Sequence, residues 1–119
     1  MKQILIVDDD TSVLSLVASA LADYSLSSAY CGADALTMAG LTGPLDLLIT
    51  DFMMPSMQGD ELIGRLRQVQ PDLKVLVLSG HTDILDAANL PWWNAERHLA
   101  KPFGIVALRS AVTELIGPP

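Results

Sequence analysis

Residues 45–59 read Leu45-Asp46-Leu47-Leu48-Ile49-Thr50-Asp51-Phe52-Met53-Met54-Pro55-Ser56-Met57-Gln58-Gly59, or LDLLITDFMMPSMQG. An apolar run of strand length ends on one carboxylate, Asp51, and passes directly into a Met-Pro turn and a glycine. A run with so little polar alternation suits a central strand covered by helices on both faces, as in a parallel sheet. A carboxylate at the mouth of such a strand is either desolvated or holds a cation, and both conditions make it chemically interesting.

Four further apolar segments of strand length flank this one: QILIV at 3–7, LSSAY at 26–30, KVLVL at 74–78 and RHLA at 97–100. The stretches between them have helical spacing, so strand and helix alternate along the chain. Val13, Leu16, Val17, Ala20 and Leu21 share one helix face behind a cap at Asp10 or Thr11. Further helices are predicted over 33–41, 59–70 and 105–116. Pro91 disfavours helix at Leu90, which limits a fourth helix to about 83–90 and predicts irregular chain beyond it. Trp92 and Trp93 would point apart in an extended segment there. One is expected over the sheet edge and the other on the surface as a partner anchor, unless both pack as core.

The length of 119 residues fits one domain, 1–119, with 116–119 as the start of a linker. Half of the residues are hydrophobic, yet no apolar run approaches the roughly 20 residues of a membrane helix. The opening MKQILIVDDD meets three aspartates where an export signal would continue its apolar region. A single cysteine, Cys31, excludes an internal disulfide and suits a reducing cytoplasm, the expected location. A net charge of −7 opposes direct nucleic-acid binding.

In an open parallel sheet, ligands bind beyond the carboxyl ends of the strands, where connections diverge to opposite faces. That rule gathers Asp8, Asp9 and Asp10 from strand one, Asp51 from strand three, Ser79-Gly80 from strand four and Lys101-Pro102 from strand five. Crowded carboxylates either take a proton or bind a cation, and a hard divalent ion such as Mg²⁺ suits oxygen ligands. A free aspartate oxygen can then attack phosphorus, while the lysine and the hydroxyl hold other phosphoryl oxygens. Asp10 itself reads as a helix cap, Cys31 as inert, and Met53, Met54 and Met57 as packing side chains.

Asp8-Asp9 after strand one, Asp51-x-x-Met54-Pro55-x-Met57-x-Gly59 after strand three, Ser79-Gly80 after strand four and Lys101-Pro102-Phe103 after strand five occur in this order. With this set the chain resembles the receiver domain of two-component response regulators from Lys2 to about Ile116. The resemblance implies a flavodoxin-like (βα)5 fold with strand order 2-1-3-4-5, of which the chemotaxis receiver is itself a standard instance. It further implies that Asp51 accepts phosphate from a sensor histidine kinase, a phosphotransfer protein or a small phosphodonor. Asp8, Asp9, Asp51 and the backbone carbonyl of Met53 would bind Mg²⁺, and Lys101 would pair with Asp51 and then with the phosphoryl group. Ser79 would turn inward to a phosphoryl oxygen, and the face of helix four, strand five and helix five would engage a homodimer partner or an output domain. The Lys101-Pro102 bond is cis in many relatives.

Departures from the family fall on the output side. His98 stands where relatives carry Tyr or Phe, the ring that moves inward with the hydroxyl. Asn94 lies near a position often held by glycine, and asparagine tolerates the left-handed conformation. Met53 and His81 hold positions that influence phosphoryl loss in relatives; Met53 offers no side-chain hydrogen bond to water, so hydrolysis is expected not to be unusually fast.

Two other families compete. Asp8-Asp9-Asp10 after ILIV also resembles the first motif of haloacid dehalogenase-type phosphatases, with Asp8 as nucleophile and Asp10 as general acid/base. That family needs an acidic pair after the lysine, where only Glu114 follows, has a longer core and leaves the Asp51 turn unexplained. A flavodoxin would place its FMN phosphate after strand one, where Asp8, Asp9 and Asp10 repel it.

Overall fold

In a computed structural model, which describes residues 1–119 apart from the side chains of Thr82 and Asp83, the chain alternates strand and helix. The strands are β1 (Gln3–Val7), β2 (Ser25–Ala29), β3 (Leu47–Asp51), β4 (Lys74–Ser79) and β5 (Arg97–Ala100). The helices are α1 (Thr11–Ala20), α2 (Gly32–Thr42), α3 (Gly59–Val69), α4 (Thr82–Ala88), α5 (Pro91–Ala95) and α6 (Ile105–Ile116). All strand pairs are parallel, in the order β2-β1-β3-β4-β5, which is the expected flavodoxin-like arrangement. Among the described residues, no helix is long and apolar enough to cross a membrane.

Successive strand side chains point to opposite faces, so each central strand feeds two cores. Ile4, Ile6, Leu47, Ile49, Leu76 and Leu78 face α1 and α6, where Leu14, Val17, Leu108 and Val112 meet them. Leu5, Val7, Leu48, Val75 and Val77 face the other helices and meet Ala35, Leu62, Ile63, Leu85 and Trp93. Every residue of β3 is buried, which accounts for the unbroken apolar run and makes this strand the rigid base of its terminal aspartate.

Local chemistry sets the ends of the elements. Asp10 caps α1, its side chain accepting from the Ser12 N–H, as the cap signal predicted. Pro91 contradicts the expectation of irregular chain: it ends the preceding segment but occupies the first position of α5, where its fixed φ and missing N–H are tolerated. In this segment the left-handed conformation falls on Asn89, at the end of α4, whereas Asn94 lies inside α5. Trp92 and Trp93 therefore project from one helical turn, not from an extended segment.

Gly59 is required by a close backbone approach. A Cβ there would lie 2.7 Å from the Asp51 carbonyl oxygen and 3.1 Å from the Phe52 Cα, while the Gly59 N–H donates to the Phe52 carbonyl at 2.8 Å. Gly59→Ala must push the Asp51–Phe52 backbone aside, and overpacking of this kind costs about 1–3 kcal/mol. Urea unfolding should show that loss, and an unchanged midpoint would refute the contact.

Candidate functional site

The parallel register brings four strand ends to one edge. Val7 lies opposite Thr50, Asp51 opposite Leu78, and Ser79 opposite Ala100. Asp8 and Lys101 follow immediately after β1 and β5, and the Lys101 N–H donates to the Ser79 carbonyl at 2.9 Å. Side chains separated by up to 93 residues thereby meet in one mouth.

Asp8 is wholly buried and both of its oxygens are engaged: Oδ1 accepts from the Asp10 N–H at 2.9 Å, and Oδ2 from Lys101 Nζ at 2.8 Å. The same ammonium lies 3.4 Å from Asp51 Oδ1, so Lys101 bridges the two carboxylates and stands closer to Asp8. Asp51 is 8% exposed, and Asp9 is exposed at the rim. Asp8, Asp9 and Asp51 each offer one oxygen within 4.8 Å of the others, a candidate cation site made only of hard donors. Asp10 is turned to its capping role.

Burial first, then the charge of Asp8 and a smaller push from Asp9, together outweigh the attraction and hydrogen bond of Lys101 and raise the pKa of Asp51 to about 6. Burial opposes the charge of Lys101, but the hydrogen bond to Asp8 and the attraction of Asp51 outweigh it and lift its pKa. One ammonium thus does not compensate the crowded acids, which is the condition under which a divalent cation binds.

Ser79 is buried at the end of β4, and its Oγ accepts from the His81 N–H at 2.9 Å. His98 lies on β5, its ring stacked on Trp93 at 3.9 Å and 10°. Met54 packs in the core and Met57 lies against Gly32, but Met53 is 51% exposed, contrary to the packing role read for its side chain. Sequence reasoning missed Phe52 and Asp86: Phe52 stacks on Trp92 at 5.0 Å, and Asp86 Oδ1 accepts from Trp93 Nε1 at 2.7 Å. The Pro-Trp-Trp run carried the available signal, since proline favours a helix start.

A doubly wound sheet with an acidic, lysine-bridged mouth at its carboxyl edge defines the class of protein. The chain belongs to the response regulator receiver domain family, whose model matches residues 4–113. Over 116 residues it is 34% identical to the sensor kinase CckA of Brucella abortus (strain 2308), covering 95% of this chain and 12% of that protein. The DNA-binding transcriptional regulator NtrC of Azospirillum brasilense is 34% identical over 110 residues, covering 92% of this chain and 23% of that one. The chain therefore spans less than a quarter of the length of either relative. The structure of the response regulator TrrA of Thermotoga maritima in complex with Mg²⁺-BeF matches with a TM-score of 0.82 at 31% identity, covering 97% of this chain and 99% of that one. These relationships do not favour the phosphatase reading.

The raised Asp51 pKa has a defined effect on stability. A carboxyl that binds its proton more tightly when folded contributes fully below its unfolded value of 3.8, and that contribution is lost as pH rises through about 6. The penalty at neutral pH is about 3 kcal/mol unscreened, and about 1–2 kcal/mol once water at the mouth is counted. In EDTA, Asp51→Asn should exceed the wild type in urea stability by that margin at pH 7 and lose the advantage below pH 4. Equal stability at pH 7 would contradict the crowding.

Proposed function

We propose that the chain is a phosphoacceptor receiver unit of a two-component system, with Asp51 as the acceptor. The receiver fold is a signalling switch, and the relationship to sensor kinases and response regulators supports a sensor histidine kinase or phosphotransfer protein as donor. In this reading 1–119 acts as one domain, with 116–119 leading into a linker. Its partner-facing surface is formed by α4, α5, β5 and α6, available to an output domain or a second copy.

The contrast between the two buried aspartates carries the assignment. Both Asp8 oxygens are occupied by protein donors, whereas Asp51 meets Lys101 through Oδ1. No hydrogen bond engages Asp51 Oδ2 among the described residues. An oxygen of Asp51 attacks the phosphorus of a phosphohistidine; the P–N bond breaks, its electron pair returns to the imidazole nitrogen, and an acyl phosphate forms on Asp51. Lys101 already stands beside the acceptor and takes a phosphoryl oxygen. Ser79 exchanges its bond with the His81 N–H for another phosphoryl oxygen.

The donor set fits Mg²⁺, which Asp8, Asp9, Asp51 and the Met53 backbone carbonyl would hold. When bound, the ion supplies charge neutralisation to the phosphoryl oxygens. The exposed Met53 thioether gives an attacking water no strong hydrogen-bond partner, so hydrolysis of the acyl phosphate is not unusually fast.

Acetyl phosphate with Mg²⁺ should add one phosphoryl group, read by intact mass, and EDTA should abolish the gain. Asp51→Asn should remove it, and Lys101→Ala should slow it about 100-fold. Labelling that survives Asp51→Asn but disappears in Asp8→Asn would transfer the nucleophile to Asp8 and overturn the proposal.

A further inference from the structure

Four rings form a continuous chain of aromatic contacts from the acceptor to β5. Phe52, the residue after Asp51, stacks on Trp92 at 5.0 Å and 26°; Trp92 meets Trp93 edge to face at 5.9 Å and 80°; Trp93 stacks on His98 at 3.9 Å and 10°. Both tryptophans of the chain belong to α5, the helical turn that Pro91 starts. Phe52 is bound to the site from both sides, its N–H donating to the Leu78 carbonyl and its carbonyl accepting from Gly59.

The two ends of this series are held differently. Trp93 is wholly buried, its Nε1 is tied to Asp86 of α4, and His98 Nε2 lies 4.0 Å from the same Asp86 oxygen. An inward swing of His98 would strip its ring from the buried indole. Trp92 is only half-buried and rests on Phe52. At the far end of α5, Glu96 is gripped by the Arg67 guanidinium through both of its oxygens, Nη2 to Oε1 at 3.0 Å and Nη1 to Oε2, and Arg67 also donates to the Leu73 carbonyl. At the near end, α5 follows Asn89, a residue with φ 51°. Asn94 Nδ2 donates to Asn89 Oδ1 at 2.8 Å, so the start of the turn is held by one neutral hydrogen bond and its end by the charged pair at Glu96.

From this arrangement we infer that the Phe52–Trp92 contact transmits the state of Asp51 to α5 and through Asp86 to α4, while His98 remains on Trp93 as a fixed support. This rests on Asp51 being the acceptor. A reorientation of the Phe52 ring on its fixed backbone moves the face on which Trp92 lies, and α5 adjusts about its Arg67 anchor. Trp92 and Phe52 are positioning residues in this scheme and touch no phosphoryl oxygen.

Hydrogen exchange of peptides covering 82–96 tests it, with and without beryllofluoride and Mg²⁺, alongside intact-mass measurement of acetyl phosphate labelling. Wild type should change exchange in this segment about fivefold or more on loading. Phe52→Leu and Trp92→Leu, both at half-buried positions, should still be labelled but lose most of that change, and His98→Ala should keep it. Labelled Phe52→Leu and Trp92→Leu that respond like wild type, or a His98→Ala response that vanishes, would overturn the inference. Absence of labelling in the wild type would instead remove the acceptor assignment beneath it.

Discussion

One ammonium stands between two carboxylates at the carboxyl edge of the sheet, and the rest of the site is arranged around that imbalance. Lys101 reaches Asp8 at 2.8 Å and Asp51 at 3.4 Å, with Asp9 close enough to complete a three-oxygen cluster. Burial removes the water that would otherwise screen these charges, so proximity appears as a raised pKa at Asp51. Such a mouth holds its negative charge only with help, from protons, from the lysine or from a cation. The parallel register maintains the crowding by ending β1, β3, β4 and β5 at one level.

The surrounding fold makes that level rigid. β3 is buried throughout and the two helix layers meet its alternate side chains, so the backbone carrying Asp51 has little freedom to relax away from Asp8. Gly59 adds a second constraint by letting α3 begin against the Asp51 carbonyl. Rigidity is greatest at Asp51 and falls toward the β5 edge, where β5 has no buried residue and α4 and α5 are short. A change at Asp51 therefore finds its softest neighbours in the segment that carries the tryptophans.

Much of this was legible in the chain because local rules dominate where apolar runs are long. β1 and β4 follow QILIV and KVLVL closely, and Asp10 caps α1 through its own short side chain. At the edge, β2 begins one residue before the predicted LSSAY segment, since a half-polar strand carries a weak pattern. Pro91 was read through its power to stop a helix, yet it also starts α5, and Asn89, not Asn94, takes the left-handed conformation. Those choices depend on where the next residues can pack, which for Trp93 is a buried site beneath β5.

The amino-acid order alone determined the alternation of strands and helices, the set of polar residues delivered to the strand ends and the family they belong to, because each depends on residues within a few positions of one another. Tertiary structure decided that Lys101 sits nearer Asp8 than Asp51, that Asp51 holds its proton unusually well, and that Phe52 joins a four-ring series of aromatic contacts ending at His98. These properties depend on desolvation and on distances of a few ångströms between groups far apart in the chain. They come into being only when the sheet closes its register and the helices exclude water from both faces.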